Sequence, residues 1–351
     1  MKNIVQDRCN QKYDEATRMK MAMTVRRKRL RLGIAALLRN TMAIMTDWSH
    51  AVLSALLVLH RPQDSFVSIL ESRSTDLTPI LLNNMRKKLD RHGIPNVIRT
   101  RVDAGPAFVL NGRVNRIEFL ARLRNLVMAP ILQHIQRSRL DRVVFLNDVV
   151  LCAGDIIRLS LHDADMSCGY DFQHSVGRRI FYDSWVMDYG EFTDPSPHKA
   201  CVLNDSYPLR APCSRLQETP LPVTCCWNGA VAIRPQVFAS GVRFRRGDPS
   251  LGDSDCSQSE CSLLCLDMWH RGFQRILVDP NVQIGYNRGA FLYSARKRTF
   301  APAVPPPVWF GPNRSTLRWR CCELKEAGKV HVDFQQCRMQ NIPLQLSGLG
   351  A

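Results

Sequence analysis

The chain has 351 residues, of which 45% are hydrophobic and 23% charged, and this places it among globular proteins and outside the disordered and fibrous classes. That length can bury one large core or two modest ones. The formal net charge is +17, and residues 1–40 supply about half of the excess, with eleven Lys/Arg against three Asp/Glu.

A basic N-terminal arm, residues 1–32, contains the dense run Arg26–Arg31. One interpretation is a contact with nucleic acid, an acidic membrane or an acidic polymer, driven by residues 18–31. The other is a solvated basic face, or a positive flank that sets membrane topology. No RNA-binding signature and no basic patch interleaved with aromatic residues occurs, so no nucleic-acid partner is expected.

The apolar region Gly33–His60 is interrupted by Arg39, Asp47 and His50. Its uncharged stretches are shorter than the roughly 20 residues that a membrane-spanning helix needs, so we predict an amphipathic helix. The apolar positions of that helix are Leu37, Leu38, Met42, Met45, Val52, Leu53, Leu56 and Leu57. The polar start does not look like a signal peptide. Membrane association would therefore depend on an anchor that is missing from this chain or that has only a weak sequence signal.

Residues 33–300 read as one domain in which strands alternate with helices. The predicted strands are Ser65–Leu70, Ile94–Thr100, Val143–Leu146, Met166–Phe172 and Ala230–Ile233, with edge strands Gln274–Val278 and Val282–Tyr286 around Pro280. Two of the predicted helices have N-caps at Thr78 and at Asn115, the second with a break or kink at Pro130. The other two start at Asp155 and within Cys256–Trp269. Alternation of this kind predicts an α/β fold with a mainly parallel central sheet flanked by helices.

Two segments of this plan are irregular. The loops between Asp171 and Val223 are rich in proline and aromatic residues, and we predict a lid or an acceptor pocket there. Residues 301–351 form a proline-containing tail.

Polar residues lie at the carboxyl ends of the predicted strands, at Glu71, Asn147-Asp148 and Asp171. Ligands of open α/β sheets bind at the carboxyl ends of the strands, so these segments converge on one edge. Asp148 is the candidate ligand of a Mn²⁺ or Mg²⁺ ion that neutralises a leaving nucleotide diphosphate, and Asn147 is a donor contact. The alternative is that the pair merely caps a turn.

Further donor contacts are predicted before and after that strand. Glu71, Ser72 and Asp76 follow the first predicted strand, at the position where the base and ribose of a nucleotide donor usually bind. The alternative is an ordinary polar loop with a helix cap. Arg124 and Asn125 would face the same edge from the preceding helix, unless they are a solvated helix pair.

The C-terminal half offers a turn and a carboxylate. Trp227 supplies a stacking platform for a sugar, Asn228 an amide, and Gly229 room for close backbone approach; a tight turn with a core tryptophan is the alternative. Glu260 is placed to act on an acceptor hydroxyl or to stabilise a sugar cation, unless it is a first-turn glutamate favoured by the helix dipole.

Thirteen cysteines are many for a cytosolic enzyme. The spacing Cys256-x4-Cys261-x3-Cys265 fits no standard zinc site. Disulfides of a luminal protein, or buried thiols, are favoured over metal binding.

Several of these segments match one family in the family's own order. They are Val67–Asp76 (VSILESRSTD), Arg116–Asn125 (RIEFLARLRN), Phe145–Val150 (FLNDVV), Tyr182–Val186 (YDSWV), Cys226–Gly229 (CWNG), Ser259–Asp267 (SECSLLCLD) and Asp279–Val282 (DPNV). On these motifs the chain resembles fungal glycosyltransferase family 69, the cryptococcal α-1,3-mannosyltransferase and capsule-associated protein group.

The resemblance implies a GT-A-like fold and retaining, metal-assisted transfer from GDP-mannose to a mannose 3-hydroxyl of a mannose-containing glycan acceptor. It also implies a Golgi or other secretory-pathway location. Asp148 would then be the metal ligand, while Asn228 and Glu260 would be catalytic, with Trp227 and Gly229 around the donor sugar.

The chain also departs from the family's motifs. The family usually reads Tyr-Glu-Ser-Gly-Ser-Trp-Asp where this chain has Leu70, Arg73 and Thr75 at the first, fourth and sixth places. Met187 follows Val186 where the family usually has Arg-Asp. A catalytically inactive relative that serves as an assembly component of a polysaccharide pathway is therefore the alternative function.

Overall fold

A computed structural model of the protein describes eleven stretches of the chain. They are residues 4–102, 109–110, 113–114, 116–175, 178–183, 185–189, 219–248, 258–294, 303–311, 314–321 and 338–344. Asn115, Cys256, most of the Asp171–Val223 loops and most of the 301–351 tail lie outside these residues, so the predictions made for them stay predictions.

The elements are numbered in chain order. The helices are α1 (Ile4–Lys12), α2 (Glu15–Arg27), α3 (Met45–Leu57), α4 (Thr78–Arg91), α5 (Arg116–Arg137), α6 (Ala153–Leu161), α7 (Pro235–Ala239), α8 (Glu260–His270) and α9 (Arg288–Ser294). The strands are β1 (Leu32–Leu38), β2 (Phe66–Glu71), β3 (Asn96–Arg99), β4 (Val109–Leu110), β5 (Arg113–Val114), β6 (Arg142–Leu146), β7 (Met166–Ser175), β8 (Arg178–Phe181), β9 (Leu221–Pro222), β10 (Ala230–Ile233), β11 (Ile276–Gly285), β12 (Thr316–Cys321) and β13 (Arg338–Pro343).

The central sheet has the order β3-β2-β1-β6-β10-β7-β11-β9, and β8 pairs with β7. Strands β3, β2, β1 and β6 are mutually parallel, and so are β7 and β11. Strand β10 lies antiparallel between β6 and β7, so both groups of parallel strands point the same way. The predicted α/β fold with a mainly parallel central sheet is confirmed.

The sheet is buried on both faces. Val143 and Phe145 of β6 belong to one hydrophobic cluster, whereas Val144 and Leu146 belong to another. This follows from the period of two in a strand, which sends successive side chains to opposite faces. Helix α5 packs against β1 and β2, and α6 against β7, β10 and β11.

The predicted single helix over Gly33–His60 is wrong in its first part. Leu32–Leu38 is the buried strand β1, and the helix α3 begins only at Met45. A continuous apolar run fits a strand buried on both faces as well as a buried helix, and pairing with β2 and β6 decides the outcome. The first predicted strand, Ser65–Leu70, is consequently the second strand of the chain.

The two predicted edge strands around Pro280 are also wrong, because they form one interior strand, β11, between β7 and β9. The register shifts between Val278 and Gln283, which absorbs the proline. At this bulge Asp279 accepts hydrogen bonds from Arg158 Nε at 2.6 Å and from the backbone N–H of Asn281 at 2.9 Å. The Arg158 guanidinium and these bonds outweigh the effect of burial and hold the pKa of Asp279 well below its usual range.

Helix boundaries differ from the predictions by one or two residues. Thr78 is the first residue of α4 rather than its cap, and its hydroxyl accepts the backbone N–H of Thr41. Helix α6 begins at Ala153 rather than at Asp155. Helix α5 continues through Pro130 to Arg137.

The first two helices are attached to the domain by a disulfide and a buried carboxylate. Cys9 is bonded to Cys152, and Asp155 accepts hydrogen bonds from Lys12 Nζ at 2.5 Å and from the Tyr13 hydroxyl at 2.7 Å. The Tyr13 ring lies where a Cβ on Gly154 would come within 2.6 Å of it. The basic arm is thus folded onto α6 rather than extended.

Two further disulfides, Cys168–Cys226 and Cys225–Cys265, join β7, the turn before β10 and helix α8. Among the described cysteines Cys261 is a buried free thiol. No described helix is both long enough and apolar enough to cross a membrane.

Candidate functional site

The carboxyl ends of the parallel strands carry a connected group of polar side chains around Asn147, which follows β6. The Asn147 side-chain oxygen accepts hydrogen bonds from Arg124 at 3.3 Å and from the Trp227 indole at 3.4 Å. Its amide nitrogen donates to the Tyr286 hydroxyl at 3.2 Å. Asn147 therefore joins residues from α5, from the turn before β10 and from the residue after β11.

A buried ion pair lies beside this group. Arg124 Nε and Glu260 Oε1 are 2.9 Å apart, and both side chains are almost fully buried. The guanidinium also packs against Trp227, 4.7 Å from the ring centroid, and against Phe145 and Phe244. Glu260 begins α8, where Ser259 caps the helix by accepting the N–H of Cys261. Both the carboxylate and the cation are thereby fixed in position.

Asp148 is half-buried and lies next to Asn147 in the chain. Among the described residues its carboxylate makes no hydrogen bond to another residue and no ion pair, although Arg124 is near enough to act on it electrostatically. Burial raises the pKa of Asp148 above its usual value. An ionised carboxylate that is partly desolvated and unpaired is ready to accept a cation.

Two more carboxylates lie close by. Asp171, in β7, is fully buried, and its Oδ1 accepts the backbone N–H of Asp183 at 3.1 Å. Asp183 Oδ2 accepts the N–H of Asn228 at 3.3 Å. Burial, and then repulsion between the two carboxylates, raises the pKa of Asp171 well above its ordinary range. Burial raises the pKa of Asp183 to about 6.

The rings of Tyr182 and Tyr286 pack against each other near these carboxylates, with their centroids 4.3 Å apart. Burial raises the pKa of both hydroxyls, and the charges of Asp171, Asp183 and Asp148 raise them further. The three aspartates therefore surround one pair of tyrosines. Together with Glu260 they give the site four carboxyl groups, and the positive charges that act on it include Arg124 and, at Tyr182, Arg116.

The turn before β10 is conformationally special. Asn228 has a left-handed backbone, φ 47°, and Gly229 follows with φ 71°. A Cβ at Gly229 would come within 2.9 Å of Val149, so only glycine fits. The Asn228 amide nitrogen donates to the carbonyl of Gly169 at 2.9 Å, while its buried side-chain oxygen has no hydrogen-bond partner among the described residues. Strain and an unsatisfied acceptor together are typical of a functional position.

Glu71 shapes the loop after β2. Its carboxylate accepts the backbone N–H of Ser74 at 2.5 Å and that of Arg101 at 2.7 Å. Asp76 accepts the N–H groups of Met42 and Thr78. Ser72 is buried in the same loop. The carboxylates of Glu71 and Asp76 thus accept hydrogen bonds from backbone N–H groups of the loop and its neighbours. Other atoms on the loop surface remain available to contact a ligand.

Arg73 has φ 52°, the left-handed region that glycine adopts at least cost. This is the position at which the resembling family usually has glycine. Thr75 N–H still bonds to the Asn40 side chain at 2.8 Å. The loop therefore keeps a glycine-type conformation although it carries arginine.

Asn125 behaves differently from the other candidates. Its amide donates to the Phe244 carbonyl at 2.7 Å and accepts the Phe244 N–H at 3.1 Å. Both ends of the side chain are used to hold the segment that places the Phe244 ring against Arg124 and Trp227.

The structure thus brings together Asn147, Arg124, Trp227 and Glu260 through direct contacts. Asp148, Asn228 and Gly229 adjoin this group in the chain, whereas the Glu71–Asp76 loop follows the separate strand β2. The sequence argument did not assign Asp183 or Tyr286 to the site. Asp183 lies in the motif Tyr182–Val186, and Tyr286 follows the carboxyl end of β11, so both signals were present in the sequence.

The described residues include no group of three or more His, Cys, Asp or Glu side chains arranged to hold a metal ion. Asp148 is still suited to be a single protein ligand, because its oxygens are uncommitted. Mg²⁺ is commonly held by one or two carboxylates with substrate phosphates and water. The residues therefore fit a metal that arrives with a phosphorylated substrate.

We expect Asp183→Asn to stabilise the protein at neutral pH by on the order of 1–2 kcal/mol. A pKa of about 6, against an ordinary 3.8, means that the folded state binds this proton more tightly than the unfolded state. Stability is therefore lost as pH rises through about 6, and asparagine avoids that loss. Denaturant unfolding should show the gain at neutral pH and none near pH 4. Equal stability changes at both pH values would contradict this assignment.

Comparison with known proteins identifies relatives. The profile of the family "Cryptococcal mannosyltransferase 1" matches residues 31–267. Alpha-1,3-mannosyltransferase CMT1 of Cryptococcus neoformans is 34% identical over 283 residues, which cover 74% of this chain. The chain spans 59% of the length of that relative.

Similar solved structures share little sequence with the chain. Mannosyltransferase PcManGT from Pyrobaculum calidifontis is 12% identical with a TM-score of 0.40, covering 80% of this chain and 67% of its own. S. aureus TarS is 11% identical with a TM-score of 0.38, covering 73% and 60%. The profile match takes in every candidate residue from Glu71 to Glu260, and the chain belongs to the cryptococcal mannosyltransferase family.

Proposed function

We propose that the protein is a retaining mannosyltransferase that moves mannose from GDP-mannose to a mannose 3-hydroxyl of a fungal glycan. The observation that carries the proposal is the family match over residues 31–267, which contains the whole carboxylate-rich site. The 34% identity with a relative named as an alpha-1,3-mannosyltransferase supports the linkage. The donor identity rests on the family resemblance.

The charge of the site supports a divalent metal. Glu260 contacts the Arg124 guanidinium, Asp148 and Asp183 lie near enough to act on it, and a nucleotide diphosphate is itself an anion. Repulsion in this low-dielectric edge would oppose donor binding unless a cation comes between them. We propose that Asp148 holds Mn²⁺ or Mg²⁺, which on binding would neutralise the charge that develops on the leaving diphosphate.

The other side chains of the site have proposed roles in binding the sugar and in stabilising the charge that develops on it. We assign the contacts with the donor sugar to Trp227 and Gly229. Asn147 holds the Trp227 indole and the Tyr286 hydroxyl in place through a hydrogen bond with each. We propose that Asn228, with its unsatisfied buried oxygen, contacts a sugar hydroxyl, and that Glu260 stabilises positive charge on the reacting sugar. Arg124 fixes the Glu260 carboxylate for this role.

The nucleoside side is assigned to the loop after β2. Ser72 lies in it, and Glu71 and Asp76 hold its backbone through the bonds to Ser74 and Thr78. Asn125 supports the site indirectly, through Phe244. These are positioning roles, so substitutions at Glu71 or Asn125 act on donor affinity through the shape of the site.

Three disulfides among the described cysteines support folding in an oxidising compartment. We therefore propose a location in the Golgi or another secretory lumen. The alternative function, an inactive relative that assembles a polysaccharide pathway, is favoured by the substitutions at Leu70, Thr75 and Met187. The retained loop conformation at Arg73 opposes it.

Calorimetric titration of GDP-mannose with and without Mn²⁺ tests the proposal, with GDP-glucose and UDP-glucose as controls. We expect manganese-dependent binding that is selective for GDP-mannose, followed by transfer to a mannose disaccharide. Selective binding with neither transfer nor donor hydrolysis would favour the inactive relative. No binding to any of the three nucleotides would reject the transferase.

A further inference from the structure

A second surface lies at the opposite edge of the sheet, where the parallel strands begin. Arg27, Lys28 and Arg29 are exposed in the turn that joins α2 to β1. None of the three side chains forms a hydrogen bond or an ion pair with a described residue. Arg26, beside them, is anchored by a bond from its Nε to the Val58 carbonyl at 3.0 Å. This turn therefore presents uncompensated positive charge on a fixed backbone.

Large apolar side chains are exposed next to this charge. Met19 and Met23 are 58% and 67% exposed. They precede Arg27 at intervals of four residues, so all three share one face of α2. Buried Met21 and Val25 occupy the other face. The exposed stripe is thus a mixed apolar and basic face on a helix that is otherwise packed.

An exposed tryptophan lies at the same end of the sheet, near the beginning of β11. Trp309 is 82% exposed, and the neighbouring Phe310 ring lies 5.2 Å from the Arg275 guanidinium. Arg275 directly precedes β11, and Gln274 is bonded to the backbone of Arg314 on both its amide atoms. The segment that carries Trp309 is therefore held at the beginning of β11.

We propose that the exposed face of α2 with Met19 and Met23, the Arg27–Arg29 turn and Trp309 together form a peripheral binding surface for bilayers that contain anionic phospholipid. Basic side chains attract the anionic headgroups, and tryptophan and methionine enter the interface. A soluble polyanion would match the charge but gain nothing from the apolar side chains. The inference is independent of the proposed transferase activity.

Strand polarity gives this surface a functional meaning. Asn147, Asp148 and Tyr286 lie at the carboxyl ends of the strands, and the basic turn lies where the strands begin. A protein held on a bilayer by the basic turn therefore carries its candidate active site at the far end of the strands, away from that turn.

Co-sedimentation of the full chain with vesicles tests the charge. We expect at least about tenfold tighter binding to phosphatidylcholine vesicles with about 30% phosphatidylserine than to pure phosphatidylcholine, weakened by salt. The triple variant Arg27→Gln/Lys28→Gln/Arg29→Gln should lose about 100-fold in affinity. The control Arg39→Gln/Arg99→Gln/Arg122→Gln removes equal charge from exposed sites elsewhere and should bind as the wild type does.

The apolar side chains decide between a bilayer and a soluble polyanion. Met19→Ser/Met23→Ser and Trp309→Ser should each weaken vesicle binding several-fold while leaving heparin binding unchanged. Leu77→Ser/Ile80→Ser is the matched control, since those side chains are 54% and 57% exposed elsewhere. Equal binding to both vesicle types, or full vesicle binding by the apolar variants, would overturn the proposal.

Discussion

Asp148→Ala is expected to lower kcat/KM for mannosyl transfer by about 10³-fold or more while leaving the fold intact. Its carboxylate makes no hydrogen bond to another described residue, and burial raises its pKa, so the folded protein does not depend on it. The proposed metal, in contrast, depends on it entirely. Initial rates over a range of GDP-mannose concentrations at saturating acceptor, repeated across a Mn²⁺ titration, give kcat/KM and so measure the effect.

A matched control separates this role from general loss of negative charge. Asp90 lies at the end of α4 and accepts a hydrogen bond from Asn96, remote from β6. Asp90→Ala should keep wild-type turnover and the same manganese dependence. Unchanged turnover in Asp148→Ala would remove the metal-site argument, and loss of folding in that variant would show that Asp148 has a structural role.

Arg124→Ala is expected to destabilise the protein by about 3–5 kcal/mol, because it leaves the buried Glu260 carboxylate without its partner. It also removes the cation that packs against Trp227 and Phe145. Glu260→Gln should cost far less stability, since the amide oxygen can still accept the Arg124 Nε–H. Denaturant unfolding of both variants measures the difference.

Kinetics then assign the role of Glu260. If this carboxylate stabilises charge on the reacting sugar, Glu260→Gln lowers kcat more than it raises the dissociation constant for GDP-mannose. The double variant Arg124→Met/Glu260→Met removes both charges and should recover part of the stability without activity. An unchanged kcat in Glu260→Gln would make Glu260 a structural partner of Arg124.

The sequence predicted the elements whose signal is local. Strand β6 and the Asn147-Asp148 pair at its end were predicted because a short apolar run stops at polar turn residues. The convergence at the carboxyl edge followed from strand polarity alone. Strand β1 was missed because an apolar run of seven residues has no period that separates strand from buried helix.

Pairing between strands that are far apart in the sequence could not be predicted from local sequence patterns. Nothing in Ala230–Ile233 indicates that β10 runs antiparallel between β6 and β7. The hydrogen bond from the Asn228 N–H to the Asp183 carboxylate depends on that arrangement, because the turn before β10 supplies the donor. The use of Asn125 to hold Phe244, 119 residues away, is equally invisible in the sequence.

The position of β10 in the strand order decides how the two halves of the central sheet are joined. Strand β6 does not pair with β7, so the β3-β2-β1-β6 half and the β7-β11-β9 half are joined in the sheet through β10. The turn Trp227–Gly229 leads directly into that joining strand. Loss of β10 would therefore separate the two halves of the sheet and also remove the strand that anchors the turn with Trp227 and Asn228.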